Sequence, residues 1–217
     1  MTNLSKVSYL GPEGTFSQLA ATSYFTGEQK YIPLASIDDV FSSVERSDAD
    51  FGVVPVENST EGAVNNTQDC LIDTCLQISG EVIVPITHNL MVSHSFPRIE
   101  TPKLIVSHRQ SLAQCRQWLA STYPGVPIKE VSSNARAAQL ASEQDGVAAI
   151  AGELAAQIYK LKIVHRSIQD KSHNSTRFLV LSSRGVGPTG KDKTSILVYT
   201  GNRPGALFRI LEPFESL

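Results

Sequence analysis

The feature that most constrains this chain is a repeated alternation of short apolar runs with segments of helical length and period. Val7-Ser8-Tyr9-Leu10, Tyr31-Ile32-Pro33-Leu34 and Phe51-Gly52-Val53-Val54-Pro55-Val56 are too short for helices and rich in branched and aromatic residues, so they predict strands. Thr15-Phe16-Ser17 opens one intervening helix. Ser36 opens the other, with Asp39 three residues later, where a carboxylate answers a capping hydroxyl. Strands that alternate with helices bury both faces of a sheet, which is the α/β class.

A second set of alternations begins near Ile83. It runs through Leu104-Ile105-Val106, a helix from Ser111 to Tyr123, Ile128 to Val131, a helix from Asn134 to Gln144, and Val147 to Ile150, and predicts a second α/β lobe. In the first of these helices Leu112, Cys115 and Leu119 share a stripe with Trp118 beside it, a core face. After Ile163 and Val164 the chain passes through polar residues to Thr176. It then enters Phe178-Leu179-Val180-Leu181, a strand expected to return to the first lobe. Two lobes joined by crossing segments leave a cleft, where small ligands bind.

Ser183 to Asp192 is polar and glycine-rich and reads as a linker. Beyond it Thr194 to Thr200 predicts a strand and Ala206 to Phe214 a helix, too little to close a core of their own.

Charge narrows the partners. Lys and Arg number 19 against 21 Asp and Glu, a net charge of −2, so nothing draws the chain to nucleic acid or an anionic membrane. Met1 to Lys6 leads into the first strand without the pattern of a signal peptide, and no apolar run reaches membrane-spanning length, so a cytoplasmic location is expected. Cys70, Cys75 and Cys115 then read as reduced thiols. The five histidines show neither the close pairing nor the carboxylate companions of a metal site, and no metal is assigned.

Several junctions where strands lead into helices carry small polar residues: Gly11-Pro12-Glu13-Gly14-Thr15-Phe16-Ser17, Ser107-His108-Arg109-Gln110 and Ser132-Ser133-Asn134. Free backbone amides at helix starts bind carboxylates, although Ser, Thr and Asn there also serve simply as caps. The first junction lacks the spacing of a phosphate or dinucleotide loop, which excludes a nucleotide. Glu57-Asn58 at the end of the third strand puts a carboxylate and a carboxamide where α/β proteins hold ligands, or else forms a turn. Asn174-Ser175-Thr176-Arg177-Phe178 sets a hydroxyl and a guanidinium together at a strand entrance, a proton donor and an anion partner.

Three of these motifs, Gly11 to Ser17, Pro55-Val56-Glu57-Asn58-Ser59 and Asp170 to Phe178, resemble the prephenate dehydratase family in order and residue type over about residues 6 to 182. The resemblance implies a two-lobed fold of the periplasmic-binding-protein type II with a central cleft. It divides the chain into a first lobe of residues 1–76 and 164–182, a second of 77–163, a linker of 183–192, and a partial ACT regulatory domain of 193–217. It implies conversion of prephenate to phenylpyruvate without a cofactor. Thr176 would be the proton donor, Arg177, Glu57 and Asn58 the catalytic companions, and Phe178 a partner for the substrate ring. Thr15, Phe16, Ser17, Ser107, Gln114, Ser133, Asn134 and Asn174 would bind substrate.

Gly205-Ala206-Leu207-Phe208 resembles the family's phenylalanine-binding turn. No later Glu-Ser-Arg-Pro motif follows, and Glu215-Ser216-Leu217 does not supply it, so weak or absent phenylalanine feedback is expected. No mutase segment precedes residue 6, so the chain is not expected to make prephenate from chorismate. A homodimer or larger homo-oligomer is implied by the resemblance. Dehydration of arogenate, and a non-catalytic two-lobed sensor of small anions, are the alternatives; no residue separates prephenate from arogenate.

Overall fold

A computed structural model describes residues 4–96 and 101–215. Met1-Thr2-Asn3, residues 97–100 within the second expected lobe, and Ser216-Leu217 lie outside the described residues. The chain forms two compact units, Met1–Val186 and Gly187–Leu217.

In the first unit the elements are β1 (Lys6–Leu10), α1 (Phe16–Tyr24), β2 (Lys30–Leu34), α2 (Ile37–Glu45), β3 (Phe51–Asn58), β4 (Gly62–Ala63), α3 (Asn65–Asp73), β5 (Gln77–Pro85), β6 (Asn89–Val92), β7 (Leu104–His108), α4 (Arg109–Gln114), α5 (Arg116–Thr122), β8 (Ile128–Val131), α6 (Asn134–Glu143), β9 (Val147–Ala151), α7 (Glu153–Ile158), β10 (Lys162–His165) and β11 (Ser175–Ser182). They make two sheets, ordered β2-β1-β3-β11-β5, with β4 beside β3, and β10-β6-β9-β7-β8. β1, β2 and β3 are parallel and β11 runs antiparallel between β3 and β5; in the second sheet β7, β8 and β9 are parallel. The α/β class and the two lobes are as expected, and β11 returns to the first sheet.

The first sheet is covered on both faces. Val7, Tyr9, Val53, Phe178 and Val180 pack beneath Ala20 and Ala21 of α1, while Val54, Val56, Leu179 and Leu181 pack against Ile37, Val40 and Phe41 of α2. Burial of each such large apolar side chain stabilises the fold by about 1.5–3 kcal/mol. In the second lobe Ala137, Ala138 and Ala141 bring α6 onto β9, and Cys115 and Leu119 form another core with Leu90, Ile105 and Ile150, with Leu112 and Trp118 packed at its edge.

Sheet membership moves the lobe boundaries. β5 pairs with β11, so the first lobe extends through Pro85 rather than stopping at residue 76, and β10 pairs with β6, so residues 164 and 165 belong to the second. Period alone does not show which sheet a strand joins. The helix expected from Ser111 to Tyr123 is two helices broken at Cys115, whose φ −113 and ψ 13 are not helical. The break is closed from afar: Asp170 accepts from Gln117 N at 2.9 Å and Trp118 N at 3.0 Å, capping α5, while its own N–H donates to the Gln114 carbonyl at 2.7 Å.

The second unit contains α8 (Ala206–Glu215), close to the helix expected from Ala206 to Phe214. The strand expected from Thr194 to Thr200 is not formed; these residues are irregular and exposed. A strand needs a ladder partner for its backbone groups, and among the described residues none pairs with this segment.

Candidate active site

The site is set by one irregularity in the ladder between β3 and β11. Val180 pairs with Val53 and Leu179 with Val54, after which the partners are Phe178–Pro55, Arg177–Glu57 and Thr176–Asn58. Val56 is therefore an extra residue, a β-bulge. Side chains alternate between faces along a strand. Without the bulge Asn58 would leave on the α2 face with Val54 and Val56; with it, Asn58 lies on the face of Phe178 and Val180 and meets Thr176. Pro55 suits the position because it has no N–H to give to a regular ladder.

Asn58 Nδ2 donates to Thr176 Oγ1 at 2.8 Å and to Asn174 Oδ1 at 2.9 Å. Its Oδ1 accepts from the backbone N–H groups of Thr60 and Glu61 at 2.9 and 3.0 Å. Asn174 Nδ2 in turn donates to Gln114 Oε1 at 2.7 Å, and Gln114 Nε2 reaches Glu61 Oε1 at 3.4 Å. Four expected residues, Asn58, Gln114, Asn174 and Thr176, thus form one connected set, drawn from both lobes and the returning crossover. Thr176 and Asn174 are buried.

Glu57 and Arg177 do not join that set. As immediate neighbours of Asn58 and Thr176 they leave their strands on the opposite face and pair with each other at 3.0 Å, and Arg177 also reaches Glu81 at 3.5 Å. The expectation that Arg177 partners a substrate anion beside Thr176 is corrected: its guanidinium is taken by two carboxylates. Phe178 is corrected too, since it is 2% exposed and packed in the core with Tyr9 and Val84. Phe16 instead presents an aromatic wall, half-buried and edge-on to His88 with ring centres 6.0 Å apart, and its ring is what a Cβ on Gly152 would meet at 3.0 Å.

The polar junctions are chiefly caps. Thr15 Oγ1 accepts from Gln18 N and donates to the Leu10 carbonyl, and Ser133 Oγ accepts from Arg136 N. Ser107 is fully buried and bonds to the Ile150 carbonyl at 2.7 Å and Asn134 Oδ1 at 2.9 Å. Asn134 Oδ1 also receives Ser111 Oγ and the His108 N–H, so its acceptor oxygen is consumed within the lobe. The Ser107 hydroxyl and the Asn134 oxygen hold the β7–α4 and β8–α6 turns.

What remains for an anion is backbone: the first-turn amides of Phe16 and Ser17 on α1, with no carbonyl one turn earlier to bond. Ser17 is itself buried. Gly14, at φ +87, lets this loop pass α7 at backbone distance, for a Cβ there would lie 3.2 Å from Ala155 Cα. A cavity of about 410 Å³ lies beside the set, lined by Glu61 of the first lobe and His108, Arg109, Gln110 and Ala113 of the second. The cation in that lining is Arg109.

Two residues at the site were not found from motifs. Glu61 lines the cavity and accepts from Gln114. His88, 2% exposed in the connection from β5 to β6, places Nε2 3.0 Å from Gln114 Oε1. Burial lowers its pKa, with the Gln114 bond pulling weakly the other way. Only the fold brings it to Gln114. Among the described residues no three His, Cys, Asp or Glu side chains gather as a metal site.

A two-lobed α/β protein with a polar hydroxyl–carboxamide cluster where β3 and β11 meet the interlobe cleft is thereby defined. The sequence profile of the family described as PDT, prephenate dehydratase, matches residues 7–186, and the chain belongs to that family. It is 50% identical over 211 residues to the bifunctional chorismate mutase/prephenate dehydratase of Pseudomonas aeruginosa, a match covering 97% of this chain and 58% of that one. It is 37% identical to the prephenate dehydratase of Bacillus subtilis, covering 97% and 78%. Among solved structures, the prephenate dehydratase of Arthrobacter aurescens in complex with L-Phe superposes with a TM-score of 0.84 at 31% identity, covering 97% of this chain and 72% of that one. The chain thus spans a little over half the length of its bifunctional relatives. Among the described residues no helix is long and apolar enough to cross a membrane.

Proposed function

We propose that this chain catalyses the decarboxylating dehydration of prephenate to phenylpyruvate, with Thr176 as the proton donor and no cofactor. The observation that carries the reading is the hydrogen bond from Asn58 Nδ2 to Thr176 Oγ1. Backbone N–H groups only donate, so Thr60 and Glu61 fix Oδ1 of Asn58 on their side and Nδ2 on the side of Thr176. With a lone pair of Thr176 occupied by that donor, and no acceptor for its proton among the described residues, the hydroxyl proton is directed to the cleft.

The chemistry follows from that polarity. As the ring carboxylate of prephenate departs as carbon dioxide, its bonding pair enters the ring, and aromatisation expels the 4-hydroxyl. The leaving oxygen takes the Thr176 proton and departs as water; the threonine oxygen recovers a proton from solvent. A threonine hydroxyl is a weak acid, so transfer must be concerted with C–O cleavage. Charge developing on Oγ1 is held by the Asn58 N–H already aimed at it, a donor that needs no reorganisation.

The substrate carboxylates are assigned to the α1 amides of Phe16 and Ser17 and to Arg109, the ring to Phe16, and a further polar contact to Gln114. Glu57 and Arg177 hold the bulge by gripping each other across the ladder. Gly205 to Phe208 are assigned to a phenylalanine site, by likeness to the relative solved with L-Phe. A cytoplasmic homodimer completes the proposal, in keeping with biosynthetic relatives.

The test is turnover of Thr176 variants on prephenate. Thr176→Ala is expected to lower kcat by about 10² to 10⁴ with little change in KM, while Thr176→Ser retains substantial activity. Near-normal turnover by the alanine variant would reject Thr176 as donor, and a wild-type chain that binds prephenate without forming phenylpyruvate would reject the reaction.

A further inference from the structure

The hydrogen-bond chain that ends on the Thr176 hydroxyl begins at His88, and its polarity can be followed link by link. Thr60 and Glu61 N–H force Asn58 to present Nδ2 to Asn174. Asn174 must therefore accept there through Oδ1, which leaves its Nδ2 to donate to Gln114 Oε1. That oxygen is 3.0 Å from His88 Nε2, and an acceptor oxygen requires a donor opposite it. The proton of His88 is therefore on Nε2. Nδ1 is buried without a hydrogen-bond partner among the described residues, which suits a bare lone pair and would strand an N–H.

We infer that His88 is a positioning residue for the dehydration: as a neutral imidazole protonated at Nε2, it locks the Gln114 carboxamide and, through Asn174, steadies the Asn58 amide that donates to Thr176. This rests on the dehydratase reading of the site. His88 is itself held rigidly. Its N–H donates to Gln169 Oε1 at 3.1 Å, its carbonyl accepts from Ile168 N at 2.8 Å, and its ring meets the edge of Phe16.

Gln114 Oε1 thus sits between two donors, His88 and Asn174. A flip of its amide would set N–H groups against N–H groups on both sides. Removal of the imidazole leaves only Asn174 to oppose the flip on that side, and a flipped Gln114 turns Asn174, so that Asn58, still held by Thr60 and Glu61, loses its Asn174 acceptor beside Thr176. Gln114 lies on α4 in the second lobe while Asn58 and Thr176 lie in the first, so His88 also ties the support of Asn58 to the contact between lobes. None of this requires His88 to touch substrate or to change its charge during turnover.

The experiment uses the full chain in two arms. Long-range proton–nitrogen spectra of the wild type at neutral pH read the ring directly, and a single Nε2–H tautomer is expected for His88; an Nδ1–H tautomer or an imidazolium would overturn the inference. In the second arm, His88→Leu is expected to lower kcat on prephenate roughly tenfold, the worth of one buried hydrogen bond, with KM changed less than about threefold. His88→Gln, whose amide donor reaches a similar point, is expected to regain most of that loss. A folded His88→Leu protein with wild-type kcat, or a folded His88→Gln protein no better than His88→Leu, would overturn it. If His88→Leu fails to fold, the tautomer and the kcat of His88→Gln relative to wild type decide. A wild type inactive on prephenate refutes the dehydratase reading instead, and the tautomer spectrum still judges the hydrogen-bond polarity.

Discussion

At the scale of single residues, the weight of the site rests on the orientation of one carboxamide. Asn58 has two polar ends, and backbone donors at Thr60 and Glu61 settle which end meets Thr176. An isosteric Asn58→Asp removes the polarity while keeping the shape, because both oxygens accept. The Thr176 hydroxyl would then donate to the new carboxylate rather than to the leaving oxygen, and the adjacent negative charge would oppose charge growth on Oγ1. Turnover is expected to fall by about 10² to 10³ with the fold intact, the usual loss when an aimed donor is removed. Steady-state kinetics with a circular-dichroism control check this, and kcat within about twofold of wild type would remove the orientation argument. Arg177 illustrates the opposite case. Its charge looked catalytic beside Thr176, yet two carboxylates hold it on the other face of the sheet.

Among the elements, a bulge and a broken helix decide what reaches the cleft. Val56 inserts one residue into β3 and turns Asn58 from the α2 face to the Thr176 face. The sequence pairs Glu57-Asn58 and Thr176-Arg177 look like a cluster of four, but a side-chain period of two divides them into Asn58–Thr176 and Glu57–Arg177. On the second lobe, Gln114 is the last residue of α4, and its place depends on the break at Cys115 that Asp170 caps. Asp170→Ala is expected to cost about 1 kcal/mol of stability through loss of the cap and to raise KM for prephenate through a looser Gln114. Urea unfolding and steady-state kinetics check the two effects; an unchanged unfolding midpoint would show that Asp170 does not carry the cap.

For the whole molecule, the family match to residues 7–186 coincides with the first compact unit, Met1–Val186. Every residue assigned a role in catalysis lies within it. Removal of residues 187–217 is therefore expected to leave prephenate turnover within about twofold of the full chain, as for separable units joined by a linker. The truncated chain also loses the exposed Leu207, Phe208, Leu211 and Phe214. A collapse of turnover on truncation would show that the second unit supports the first. The α/β class, the two lobes, the return of the last sheet strand, and the positions of Asn58 at the end of β3 and Thr176 at the start of β11 were legible in the sequence, because apolar period and helix caps are local and the motifs keep their order. The division of Glu57 and Arg177 from Asn58 and Thr176, the burial of Phe178, the inward use of Ser107, and the entry of His88 were decided only in the tertiary structure. Each depends on strand register or on a partner far away in the chain, and a bulge of one residue, invisible to composition and period, changes which face a side chain takes.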